Sequence, residues 1–141
     1  MRDFHSRCDK KGPTISLFKV KDGDCIGGFT NALWSSDNKD VGDSGAMLFN
    51  LQQQRCFPVK QQAKYAIGCW SNTGPGFTGG DYYELCARFE PFNGEGKCTS
   101  RANYSGYRIP LEGAKNMLTN KEGKLFTITE LEVWEVKLID W

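Results

Sequence analysis

Few residues in this 141-residue chain have types that could do chemistry: six cysteines, a single histidine and a group of glutamates near the C-terminal end. Cys8, Cys25, Cys56, Cys69, Cys86 and Cys98 lie 17, 31, 13, 17 and 12 positions apart, and no C-x-x-C occurs. A structural zinc needs ligands paired on short turns. His5 with Cys8 supplies half of such a site, and no second pair has matching spacing, so neither a metal nor another cofactor is expected. A nucleophilic cysteine needs a thiolate, stabilised by a nearby cation or a helix N-terminus. Cys8, close to Arg7, Lys10 and Lys11, has the most cationic local sequence, and Cys56, which follows Arg55, is the second thiol candidate.

The other constellations are weaker. Gly42-Asp43-Ser44-Gly45 is superficially like the segment around a serine-protease nucleophile, but a catalytic triad needs a well-placed histidine and only His5 exists, so Ser44 reads as a turn residue. Gly74 to Gly80 is rich in glycine yet lacks the Gly-Lys-Ser/Thr of a phosphate-binding loop. Glu130, Glu132 and Glu135 form an acidic group, of which Glu130 and Glu132 share a strand face because residues two apart point the same way. A solvated strand face opposite Leu131 and Val133 explains them better than acid–base chemistry does. No catalytic signal is strong, and a non-enzyme is the expectation.

The elements that must position these residues read as β-structure. Pro13 to Trp34 forms one long hairpin turning at Asp22-Gly23, a pair suited to a type I′ turn, with Lys21 and Asp24 as a flanking charge pair. Gly27 and Gly28 inside the return strand mark a bulge or a close backbone approach. Arg2 to Asp9 is a short helix, Ser35 to Asp40 a polar loop, Ala46 to Leu51 a strand, and Cys56 to Val59 the start of an edge. Tyr65 to Trp70 and Tyr82 to Phe89 are strands separated by Gly74 to Asp81, which is expected to be irregular, with Gly79, Gly80 and Asp81 as its structural turn. Asn93 to Gly106 reads as a polar loop and Leu111 to Leu118 as a short helix. The last strand, Leu125 to Leu138, changes parity twice: Phe126 and Ile128 share one face, Leu131 and Val133 the other, and Val136 and Leu138 return, which suggests bulges or bends. Many short strands, Gly-rich turns and little helix predict a two-sheet antiparallel β-sandwich with short flanking helices, as a single domain over 1–141.

Composition narrows the partners. Lys and Arg number 18 against 17 Asp and Glu, leaving no basic excess for nucleic acid or an anionic membrane. No apolar run approaches the roughly 20 residues of a membrane span. The opening Met1 to Ser6 is polar and charged, unlike a secretory leader, so a cytoplasmic location with free thiols is expected.

Five blocks in order carry a family resemblance. Phe4-His5-Ser6-Arg7-Cys8-Asp9-Lys10-Lys11-Gly12-Pro13-Thr14 resembles the opening segment of a TLDc domain. Ile26-Gly27-Gly28-Phe29-Thr30 with Trp34 is similar to its Gly-Gly-Tyr-Thr strand, and Asp43 to Leu51 to the strand after it. Gly74-Pro75-Gly76-Phe77 with Gly79-Gly80-Asp81 resembles its glycine turn, and Phe126 to Val136 its closing strand. The resemblance implies a β-sandwich that here starts without the family's first helix and strand, so that either another chain supplies the missing strand or a sheet edge is left open. It also implies association with the V-type proton ATPase and with protection against oxidative stress. These point to a non-catalytic protein-interaction module, with Glu132, Trp134 and Glu135 of the closing strand as the binding residues. A thiol-based antioxidant enzyme using Cys8 or Cys56, and a structural component of a large assembly, are the alternatives.

Overall fold

The structure, a computed structural model, describes residues 2–61, 63–80, 83–88, 93–99, 106–112, 115–116, 118–137 and 139. It opens with the expected short helix, α1 (Arg2–Cys8), which buries Phe4 and rests Cys8 against the core. The expected hairpin follows as β1 (Thr14–Val20) and β2 (Cys25–Thr30). Its turn differs from a type I′ geometry: Gly23 N–H donates to Val20 O at 3.1 Å, so Lys21 and Asp22 are the central residues, and Asp22 alone takes positive φ, at 53°. Asp24 is engaged by the Asn50 side chain at 2.9 Å rather than paired with Lys21.

The sheet grows outward from this hairpin. β4 (Met47–Asn50) pairs with β2, and β5 (Arg55–Pro58) pairs with β4 and forms one edge, where Pro58 removes a donor from further pairing. On the other side of β1 lies the longest strand, β13 (Leu125–Glu135). Its second half, Ile128 to Glu135, pairs with β1, and its first half, Leu125 to Thr127, pairs with β9 (Glu95–Cys98). Beyond β9 come β8 (Tyr83–Ala87), β7 (Gly76–Thr78), β6 (Ile67–Cys69) and the edge strand β3 (Lys39–Val41). The two sheets anticipated from the sequence are therefore halves of one continuous ten-stranded antiparallel sheet, curled into a half-barrel. They stay joined because one strand is long enough to serve both. The edges belong to β3 and β5, whereas β1 is paired on both sides, so no open edge lies beside the first strand.

The parity change falls just after the switch of partners. Lys19 pairs with Glu130 and Val20 with Ile128, so Thr129 is an extra residue on β13, a bulge that lets the strand bend. Inside the curl, Phe18, Ile26, Leu48 and Phe57 of one half face Ile67, Phe77 and Leu85 of the other. Trp34 joins them, its ring edge-on to Phe4 at 5.3 Å and to Phe77 at 5.9 Å, with its indole N–H donating to Thr14 Oγ1 at 2.8 Å. Tyr107 closes the far side, its hydroxyl donating to Ala66 O at 2.6 Å.

Four segments differ from the sequence reading. Residues 76–78, within the glycine stretch expected to be irregular, form a central, fully buried strand. Residues 95–98 of the supposed polar loop form β9, and residues 39–41 form β3 where a loop was expected to run to Asp40. Within the supposed helix over Leu111 to Leu118, the described residues form β10 (Leu111–Glu112) and β11 (Lys115–Asn116), which with β12 (Lys121–Glu122) make a small three-stranded sheet. In the first three, pairing with other strands of the ten-stranded sheet overrode weak local signals, whereas the three-stranded sheet is held by local pairs.

Gly28 explains one half of the Gly-Gly pair. A Cβ there would collide with the Phe77 ring, which the curl brings down from the opposite half. Gly80 holds φ +117°, a conformation that L side chains rarely adopt, whereas Asp81 lies outside the described residues. Gly28→Ala, by overpacking this contact, is expected to destabilise by about 1–3 kcal/mol. Gly80→Val is expected to cost about 1–3 kcal/mol through backbone strain. Urea melts of both variants check this, and an unchanged midpoint would contradict the packing described.

Candidate functional site

A sheet whose one face forms the core normally turns polar side chains outward on the other. The β13–β1–β2–β4–β5 half does not follow that rule. Its register sets Trp134, Ile15, Phe29, Met47 and Pro58 in one outward row, and Glu132, Leu17, Gly27, Phe49 and Cys56 in the next. Glu130, Lys19 and Cys25 begin a third row. Ile15, Leu17, Phe29, Met47 and Phe49 are half-buried only by one another and their neighbours, and Trp134 at the margin is 60% exposed. Gly27 leaves room on this face, because a Cβ there would collide with the Ser16 carbonyl oxygen of β1 and lie 2.8 Å from the Phe49 ring.

The three binding candidates from the sequence divide. Glu132 and Trp134 stand on this face together, the indole N–H donating to Glu132 Oε2 at 2.9 Å. Glu135 pairs with Thr14, and so belongs to the opposite face at the strand's exposed end. Glu130 shares the outward face with Glu132, giving the apolar surface an acidic border along β13, opposite Lys19. The five apolar residues were missed in sequence. The usable signal was in β1, Thr-Ile-Ser-Leu-Phe-Lys-Val, which carries apolar residues at both parities where a half-exposed strand would alternate.

The thiols are all free and widely spread. Cys8 is half-buried, and burial pushes its pKa up, reinforced by Asp9 and only partly offset by Arg7. The cationic local sequence therefore does not yield a stabilised thiolate. Cys56 is exposed on the outward face of β5, opposite Phe49. Burial pushes Cys69 up, and raises Cys86 to about 12 against the opposing pull of Arg88 and Lys97.

His5, the one imidazole, is a clamp. Its Nδ1 lies 2.8 Å from Asp9 Oδ1, and its Nε2–H donates to Trp70 O and Thr73 O, each at 2.9 Å, tying α1 to the loop after β6. Among the described residues no group of three or more His, Cys, Asp or Glu side chains could hold a metal ion. Ser44 is exposed in a turn, and its neighbour Asp43 is the anchor of that turn. Burial would raise the Asp43 pKa, but hydrogen bonds from Thr30 Oγ1, Asn31 N–H and Gly45 N–H outweigh it and hold the carboxyl below its ordinary value. Among the described residues no helix is long and apolar enough to cross a membrane.

Thiol chemistry follows from this placement. Cys56 is expected to react first with iodoacetamide in the native protein, with Cys69, Cys86 and Cys98 protected until unfolding, as peptide mapping would show. Cys86 keeps its proton to about pH 12 when folded, against an ordinary value of 9.0, so the folded state binds the extra proton in that window. Its contribution to stability is thus complete below pH 9 and lost as pH rises toward 12. Urea melts at pH 8 and pH 10.5 are expected to show this loss, and a smaller loss in Cys86→Ala.

A family model described as the TLDc domain matches residues 1–137 of the 141. No curated protein matches the chain. With nearly its whole length inside that match, the chain belongs to the TLDc domain family.

Proposed function

We propose that this TLDc domain is a non-catalytic protein-interaction module that docks its partner on the outward face of the β13–β1–β2–β4 strands. The observation that carries the reading is the contiguous apolar surface of Ile15, Leu17, Phe29, Met47 and Phe49, bordered by Trp134. Such a surface on a soluble domain marks an interaction site, and a partly exposed tryptophan at its margin is the residue type most often found as a binding anchor. Charge selects the partner's chemistry. Glu130 and Glu132 border the apolar rows, so the complementary surface is apolar and edged by Lys or Arg.

The family resemblance points to a subunit of the V-type proton ATPase as that partner, encountered in the cytoplasm, with protection against oxidative stress as a downstream effect. The thiol-enzyme reading has less support. Cys8 is shifted away from reactivity, and no cationic side chain pairs with Cys56 across the strands of its face.

The test mixes the purified chain with the purified peripheral sector of a V-type ATPase and measures affinity by biolayer interferometry. Binding is expected, with Trp134→Ala weakening it about tenfold or more, as loss of an interface anchor does. Glu132→Gln is expected to weaken it less and to reduce its salt dependence. No association with the ATPase sector removes the partner, and association insensitive to Trp134→Ala removes the face.

A further inference from the structure

The other half of the sheet carries a second built feature, on its own outward side. Cross-strand register lines up Asp40 on β3 with Gly68 on β6, and Cys86 on β8 with Gly76 on β7 and Lys97 on β9. Because Ile67 pairs with Phe77, Gly68 stands beside Gly76, and the five residues form one row. At about 4.8 Å per strand the row runs about 19 Å, with an acid at one end and a lysine at the other. The two glycines make a dip in its middle. The Tyr83 ring lies in that dip, its hydroxyl 2.7 Å from a Cβ on Gly68 and its ring edge 2.5 Å from a Cβ on Gly76.

Above this floor opens a cleft of about 350 Å³, the low end of the roughly 300–1,000 Å³ typical of small-molecule sites. Trp70 and Thr73 form one wall, and Arg88 and Lys97 the far end. The wall is fixed before any ligand arrives. The Trp70 indole N–H donates to Asp40 Oδ1 at 3.0 Å, Ser71 N–H donates to Asn38 Oδ1 at 2.9 Å, and the His5 clamp holds the carbonyls of Trp70 and Thr73.

We propose that this cleft binds a small planar organic anion, its carboxylate or phosphate group at Lys97 and Arg88 and its flat body against the Trp70 indole and the Tyr83 ring. Three observations favour an anion at that end. The Lys97 ammonium makes no ion pair among the described residues, while Arg88 shares its guanidinium with Glu95 at 3.2 Å. Asp40, the acid of the row, sits at the opposite end and is occupied by Trp70. Burial keeps the Cys86 thiol and the Tyr83 hydroxyl protonated, so the floor offers uncharged groups rather than competing anions. A planar body suits the site because indole and phenol rings bind flat groups by stacking at little entropic cost. The cleft and the docking face lie on different halves of the sheet, so this assignment is independent of the partner proposed above.

Amide NMR titration of the ¹⁵N-labelled chain tests it, with benzoate, phenyl phosphate, inorganic phosphate and neutral benzyl alcohol as probes. Benzoate or phenyl phosphate is expected to give saturable shifts at Thr73, Cys86 and Lys97, with a Kd on the order of 1 mM. Lys97→Gln is expected to weaken this about tenfold, the scale of one charge-assisted hydrogen bond, while its spectrum elsewhere stays that of the parent. Tighter binding of one of the two aromatic anions supports the proposal and fixes the anionic group. The proposal is overturned if neither aromatic anion saturates by about 20 mM, or if benzyl alcohol binds equally well. Equal binding by Lys97→Gln overturns the anion end, and equal binding of inorganic phosphate overturns the planar body.

Discussion

Everything in this domain depends on one strand having two partners. β13 runs eleven residues, from Leu125 to Glu135; Leu125 to Thr127 pair with β9, Ile128 to Glu135 with β1, and the Thr129 bulge lies just beyond the switch between them. A straight strand of this length would hold the two halves in one plane. With an extra residue in its middle the strand bends, and the halves turn their apolar faces toward each other. Phe77 then meets Gly28, Trp34 meets Phe77, and the core closes. Turning the inner faces together also fixes which residues must point outward, so both surface features follow from the same bend.

Those features share a device. On the proposed docking face and in the cleft, a strand residue without a side chain makes room for an aromatic ring against the backbone: Phe49 at Gly27, Tyr83 at Gly68 and Gly76. A ring seated this way loses little freedom on binding, because its orientation is already set by packing. The result on one half is a flat apolar surface suited to another protein, and on the other a shallow floor with walls suited to a small ligand. The histidine is engaged in the clamp, and burial holds the Cys86 thiol on the cleft floor protonated.

How much of this the sequence disclosed varies with how local each signal is. The hairpin, the parity change in the last strand and the family were legible, because strand alternation and motif order lie within single segments. β7 was not, since Gly76 and the flanking Gly74, Gly79 and Gly80 carry no alternation and only Phe77 signals burial. β9, Glu-Gly-Lys-Cys, hides its inward face in Gly96 and Cys98, which look polar or neutral by composition. The outward placement of Glu132 and Trp134 could be inferred from parity, but the surrounding apolar rows come from four other strands and needed the register. The cleft is assembled across five strands, so no single window of sequence contains it.

The most direct test of the account is native-state hydrogen exchange along β13. If one bent strand holds both halves in a single sheet, slow amides on either side of Thr129, such as Phe126 and Leu131, and those of β1 and β8 exchange with one common opening free energy. Two distinct free energies, one for β1, β2 and β4 and another for β7, β8 and β9, would mean that the halves open as separate sheets, contradicting the continuity on which both surfaces rest.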